Sequence, residues 1–170
     1  MSANVRANWD EEAAPRVNWA GCDKSGKDFS GKDLSGAVLG KANFQGANFS
    51  SARLKHADFN FSDISNAVFD KARMQGARLV HVKAEKASFK EAIMDDASFS
   101  RSSMHQANFT KARLRGAKFY EAKLTGANFS MALLQSSDFI HADLVGSVFD
   151  GANLSQAKMN SALMESASIK

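Results

Sequence analysis

Residues 17–36 read VNWAG CDKSG KDFSG KDLSG, and residues 37–76 continue AVLGK ANFQG ANFSS ARLKH ADFNF SDISN AVFDK ARMQG. Cut in this way, the chain falls into five-residue units that run to its last residues without an insertion. The middle residue of each unit, its centre, is almost always large and apolar. From Phe29 to Ile169 the 29 centres are 12 Phe, 9 Leu, 5 Met, 2 Ile and Ala84. Two residues earlier the side chain is small, with 22 Ala and 4 Ser, and Lys27, Lys32 and Val82 as exceptions. Ten of the 11 glycines fall two residues after a centre, Gly40 being the exception.

A helix cannot use this pattern. At about 100° per residue, a step of five turns the direction by roughly 140°, which would scatter the large side chains around the axis. A strand can use it, because residues two apart point the same way. The small residue and the centre then face inward, the residue between them faces out, and the last two must turn the chain. Glycine two places past the centre suits the third position of a type II turn, where φ is positive and a Cβ is penalised. Four such corners close a square of four units, so one side should recur at every fourth unit. Phe29, Phe49, Phe69, Phe89, Phe109, Phe129 and Phe149 do so, followed by Ile169. The next side reads Leu34, Leu54, Met74, Met94, Leu114, Leu134 and Leu154. At parallel-strand spacing, about 4.8 Å, the phenyl rings would stack. Where the centre shrinks to Ala84 the small position grows to Val82, a volume-conserving exchange.

Units such as Ala-Asn-Phe-Ser (47–50), Ala-Arg-Leu-Arg-Gly (112–116) and Ala-Asp-Leu-Val-Gly (142–146) resemble the pentapeptide repeat family over residues 17–170. The resemblance implies an all-β fold, a right-handed quadrilateral parallel β-helix (a pentapeptide-repeat solenoid) of about seven coils, each made of four units. The handedness comes from the resemblance alone. Residues 1–16 are expected to form a cap. Asp10, Glu11 and Glu12 suit the first turn of a short helix, Trp9 and Trp19 could plug the core, and Pro15 stands clear of the ladder. Lys24, Lys27 and Lys32 occupy inward positions, which requires their coil to be the terminal one.

With 44% hydrophobic residues the chain can bury a core, and no apolar run approaches the roughly 20 residues of a membrane span. The opening residues lack a secretory signal's apolar stretch, so a cytoplasmic protein is expected. The single cysteine, Cys22, excludes a disulfide framework and reads as a core filler. Chemistry is hard to place on such a rod. His56, His81, His105 and His141 stand on different walls or coils, with His81 and His141 about 14 Å apart at three strand spacings, so neither a catalytic site, a metal site nor a cofactor is expected. The adjacent acids Asp95 and Asp96 suggest acid–base work, but Arg115 lies one coil above Asp95 and offers it a salt bridge, and Lys71, Glu91 and Lys111 read as a charge ladder.

Binding must then use the walls or ends. The wall over Leu39 carries Val80, Tyr120 and Ile140 outward, with Phe61 at the following corner and Arg78, Arg101 and Lys118 around them. An apolar strip with a basic rim fits a protein partner. The wall over Leu34 is basic, with Arg53, Lys55, Arg73, Arg113 and Arg115, an alternative surface for nucleic acid, although Asp33, Asp95 and Asp96 interrupt it and no aromatic lines it. The family also includes DNA-mimicking proteins that protect gyrase, a second alternative. Charge opposes that role, since duplex DNA over the rod's length of roughly 36 Å carries about 21 negative charges. This chain has a net charge of +4. Finally, Met131, Leu133, Val148, Met159, Leu163, Met164 and Ile169 make the last coils apolar, and a homodimer through that end is expected, an arrangement similar to that of related proteins. The reading is of a non-enzymatic interaction scaffold.

Overall fold

The protein is described by a computed structural model over residues 10–170, so the expectation for Trp9 lies outside the described residues. The five-residue units form a continuous four-sided coil. The residue before each centre pairs in parallel with its equivalent four units further on, without a break from Asn18 with Val38 to Val148 with Ser168. Each side is too short for a longer ladder, and its hydrogen bonds follow one rule. Phe109 N–H donates to Asn128 O at 2.7 Å in the coil above, and Asn128 N–H donates back to Ala107 O at 3.0 Å. The corner is closed within the coil, by Ala112 N–H donating to Phe109 O at 2.9 Å.

Positive φ is not confined to the glycines. Every fifth residue from Arg16 to Ser166 lies in the left-handed region, and those that carry side chains do so at φ 54–62° and outnumber the glycines. Gly40 is explained differently. A Cβ there would stand 3.0 Å from the backbone oxygen of Asn60.

Inside the coil, like stacks on like. Phe49 and Phe69 lie 4.8 Å apart and 5° from parallel, and Phe109 and Phe129 4.8 Å and 1°. The opposite side stacks Phe99, Phe119 and Phe139 in the same way. The two columns meet edge to face, as for Phe109 and Phe119 at 5.7 Å and 85°. Both arrangements are favoured by the ring quadrupole, by about 0.5–1.5 kcal/mol beyond burial. Every centre from Leu34 to Phe149 is fully buried.

The outward residue before the centre also has a local task. Asn and Asp recur there because the side-chain oxygen accepts the backbone N–H two residues on, as in Asp28 with Ser30 at 2.9 Å, Asn48 with Ser50 at 3.0 Å and Asn128 with Ser130 at 2.9 Å. Such Asx turns pre-form the bend. Hydrogen bonds from Ser25 and Ser30 hold the carboxyls of Asp23 and Asp28 below the usual range. For Asp63 and Glu85 burial pushes upward, but donors outweigh it, chiefly the Ser65 amide on Asp63 and the Ser103 and Ser65 hydroxyls on Glu85.

The exchange of Val82 for Ala84 involves a third residue. Both are buried, but the Val82 amide does not close its corner directly. It donates to Ser102 Oγ at 3.0 Å, and Ser102 Oγ donates to Leu79 O at 2.6 Å, so a hydroxyl from the next coil is inserted into the turn. Ser137, by contrast, donates only to Leu134 O of its own coil, where an amide already bonds.

At the start, residues 10–16 form turns and a bend rather than a helix. Trp19 is buried and donates from Nε1 to Glu11 O at 3.1 Å, while Lys24 lies over its ring at 4.6 Å. Lys27 and Lys32 reach solvent. In the coil of residues 151–170, Leu154, Met159 and Met164 are half-buried and Ile169 is 58% exposed. Among the described residues, the amides of Leu154, Met159 and Met164 have no backbone partner.

Ser102→Ala should lower stability by about 1–3 kcal/mol, because it leaves the buried Val82 amide and Leu79 carbonyl unsatisfied, whereas Ser137→Ala should be near neutral; urea titrations of both variants check this. The depressed carboxyls stabilise the fold above their ordinary unfolded values, near pH 4, and that contribution is lost as pH falls through their lower folded values. The thermal midpoint should therefore fall steadily from about pH 4 downward.

Candidate functional site

The wall over Leu39 and its following corner bring together the apolar strip expected from sequence, with additions. Phe61 is 58% exposed at φ 62°. Val80, Tyr120 and Ile140 are half-buried along the wall, and Arg78, Arg101 and Lys118 are exposed around them. The corner column is tied together coil by coil. Phe61 stacks on His81 at 5.1 Å and 13°. Arg101 Nε donates to Glu121 Oε2 at 2.8 Å and its guanidinium lies 5.8 Å from the Tyr120 ring, while Tyr120 meets His141 edge to face at 5.9 Å. Hydrogen bonding to Glu121 raises the Tyr120 hydroxyl above its ordinary value, and the bonds from Tyr120 and Arg101 lower Glu121.

Val38, missed in the sequence reading, stands on the same wall and is 43% exposed. Between it and Phe61 lies a groove of about 330 Å³ whose lining includes Gly40, Lys41 and Asn60. On the other side of Phe61 a second groove of about 330 Å³ is lined by Lys41, Gln45, Asp63, His81 and Lys83 among others. The off-register Gly40 was the signal: it removes a side chain from the wall between two apolar residues. Phe61 is costly where it stands. A left-handed conformation costs an L-residue roughly 1–2 kcal/mol, and an exposed ring offsets little of that by burial. Among the described residues, only Phe61 and Met131 are apolar among the side chains held at such corners.

The basic wall is partly neutralised. Arg53 pairs with Asp33 at 3.4 Å and Arg113 with Asp95 at 2.5 Å, leaving Lys55, Arg73 and Arg115 outside the close ion pairs. Asp95 thus takes the side chain of Arg113, not that of Arg115 as the spacing suggested. Arg115 contributes its backbone N–H, at 3.2 Å. The slanted register of the sheet brings the residue before the centre, rather than the one after it, over the carboxylate. Among the described residues Lys71, Glu91 and Lys111 form no ion pair within 4.0 Å; the close pairs there are the two above, Arg78 with Asp58 and Arg101 with Glu121.

At the last coils Met131 and Leu163 are 58% and 59% exposed, and Leu133 and Val148 are half-buried. Cys22 is buried. Burial pushes its thiol up, against the charge of Lys24, which keeps it protonated at neutral pH. Among the described residues no three His, Cys, Asp or Glu side chains converge as metal ligands, and no helix is long and apolar enough to cross a membrane.

Family models agree with this geometry. A pentapeptide repeat region matches residues 59–129, and pentapeptide repeats, in eight copies, match residues 33–70 and 127–165. The chain belongs to the pentapeptide repeat family, and its fold is the right-handed quadrilateral β-helix. Members of that family are generally structural or interaction proteins. Similar solved structures include a trypsin-treated form of QnrB1, a plasmid-mediated fluoroquinolone resistance protein, at 23% identity over 92% of this chain and 83% of that one, with a TM-score of 0.45. Another is HetL, a pentapeptide repeat protein involved in heterocyst differentiation regulation from the cyanobacterium Nostoc, at 25% identity over 90% and 85%, with a TM-score of 0.36. A third is a pentapeptide repeat protein of the Arabidopsis thaliana thylakoid lumen, at 30% identity over 65% and 66%, with a TM-score of 0.24. No curated protein matches the chain in sequence.

Proposed function

We propose that this protein is a non-enzymatic docking module that binds a protein partner with the wall over Leu39 and the corner that follows it. The observation that carries this reading is the grouping on one rigid wall of exposed Val38 and Phe61 with half-buried Val80, Tyr120 and Ile140. Large apolar side chains on a monomer's surface are ordinarily scattered, and a set gathered along one wall and its corner, among polar neighbours, fits an interface. The backbone ladder holds them at fixed spacing, so binding orders little. Arg78, Arg101 and Lys118 supply the rim.

The module also pairs with a second copy through its last coils. Supporting this are the exposure of Met131, Leu163 and Ile169 and the amides of Leu154, Met159 and Met164, which have no backbone partner among the described residues and would otherwise template uncontrolled pairing.

Affinity capture with the wild type and with Tyr120→Asp/Ile140→Asp, both verified as folded by circular dichroism, tests the docking face. Recovery of a partner should be lost with the double variant, and equal recovery would remove this wall. Sedimentation at micromolar concentration should show a dimer that Leu163→Asp dissociates. A monomer at every concentration would end the self-association reading.

A further inference from the structure

Phe61 is placed where folding alone gives little reason for it. Twelve of the 13 phenylalanines are core centres; this one stands at a left-handed corner, largely exposed. Among the described corners that carry side chains all but Phe61 and Met131 are polar, so an exposed ring here points toward binding. The surroundings of Phe61 are built. His81 stacks on its ring, and Asn60 Oδ1 accepts the Val80 amide at 2.9 Å, fixing the side chain that borders the groove toward Val38. On either side lies a groove of about 330 Å³, a suitable size for single bulky side chains of a ligand.

The charges at these grooves are unequal in their freedom. Asp58 is held by Arg78 at 3.6 Å and by the Asn60 amide at 2.9 Å. Asp63 accepts Gln45 Nε2 at 2.7 Å and the Ser65 amide at 3.0 Å. Lys83 acts on Asp63 from beyond ion-pair distance, and among the described residues neither it nor Lys41 makes an ion pair within 4.0 Å. Arg78 offsets Asp58, while Asp63 keeps its charge among neutral donors, so beside Phe61 the two ammonium groups of Lys41 and Lys83 outnumber the one carboxylate without an ion pair.

The geometry points to an extended segment of a partner protein, carrying a bulky apolar residue flanked by carboxylates, as the occupant of the grooves beside Phe61. Its apolar side chain lies against Phe61 and Val38, and its carboxylates meet Lys41 and Lys83. This rests on the docking reading above and adds the chemistry of the partner. It also moves the energetic centre of the interface toward the Phe61 end of the wall.

The test uses fluorescence anisotropy with three labelled synthetic peptides that share a central Leu-Phe pair and are flanked by Glu, Ser or Lys, together with a labelled DNA duplex. The wild type should bind the Glu-flanked peptide at least about tenfold more tightly than the other two. Phe61→Gly should weaken that binding by at least about tenfold, the loss expected of a central anchor, while its thermal midpoint holds or rises, because the glycine relieves the corner. Lys41→Glu/Lys83→Glu should reverse the peptide order. Equal affinity for all three peptides, no binding of any, or undiminished binding by Phe61→Gly would overturn the proposal. So would tighter binding of the duplex that Lys41→Glu/Lys83→Glu abolishes. In each of these cases the wider docking reading stands or falls separately, on the Tyr120 and Ile140 capture experiment.

Discussion

A left-handed corner at every fifth residue is the constraint from which the rest of the structure follows. It forces the chain to turn after one short side, so that four sides return it to its starting direction one strand spacing higher. Everything then has to repeat. Each position lies beneath its equivalent four units on, whatever the residue, and a column of phenyl rings or of Leu and Met is the arrangement in which neighbours of equal size leave no void. The corner itself is unfavourable for every side-chain-bearing residue that adopts it. From Arg16 to Gly151 it persists because each corner amide donates to the adjacent coil, as in Lys111 N–H donating to Ser130 O at 2.9 Å. Cooperation between coils therefore supplies what local preference does not, as is usual for solenoids.

The period made the fold legible in the sequence. Large side chains at spacing five exclude a helix, and the recurrence of phenylalanine at every fourth unit sets the number of sides before any coordinate is known. The glycines located the corners but understated them, since a left-handed residue is needed whether or not glycine fills it. Exceptions to the repeat carried as much information as the repeat. Gly40, outside the corner positions, marks a close approach to the Asn60 carbonyl and opens the groove beside Val38. Phe61, outside the core positions, marks an exposed ring at the corner beside that groove.

What the sequence did not disclose depends on direction rather than on spacing. The pairing of Asp95 with Arg113 instead of Arg115 requires knowing which neighbour the slanted ladder brings over a carboxylate, and a four-unit repeat treats the two arginines alike. The hydroxyl of Ser102 inside the Leu79–Val82 turn is of the same kind. Serine at a small position ordinarily bonds within its own coil, as Ser62 and Ser147 do. It reaches downward here because Val82 is too large for the usual corner. The Val82 and Ala84 exchange conserves volume within a layer, but the hydrogen-bond account closes only across two layers.

The separation of inside from outside also shapes how such a rod can acquire a binding surface. An outward side chain makes no demand on the core, so the wall over Leu39 can carry Val38, Arg78, Lys118 and Asp138 in one column without altering the buried column beneath them. Outward residues are nevertheless coupled along the column, because one strand spacing brings them into contact, as with Phe61 on His81 and Arg101 on Glu121. The result is a surface whose elements leave the buried column unchanged and depend on each other. A ring held in this way has its orientation set before a partner arrives, so the strain at the Phe61 corner is offset in part by a smaller loss of freedom on binding. Such an arrangement accounts for an exposed phenylalanine at a corner position that is elsewhere filled almost entirely by polar residues or glycine.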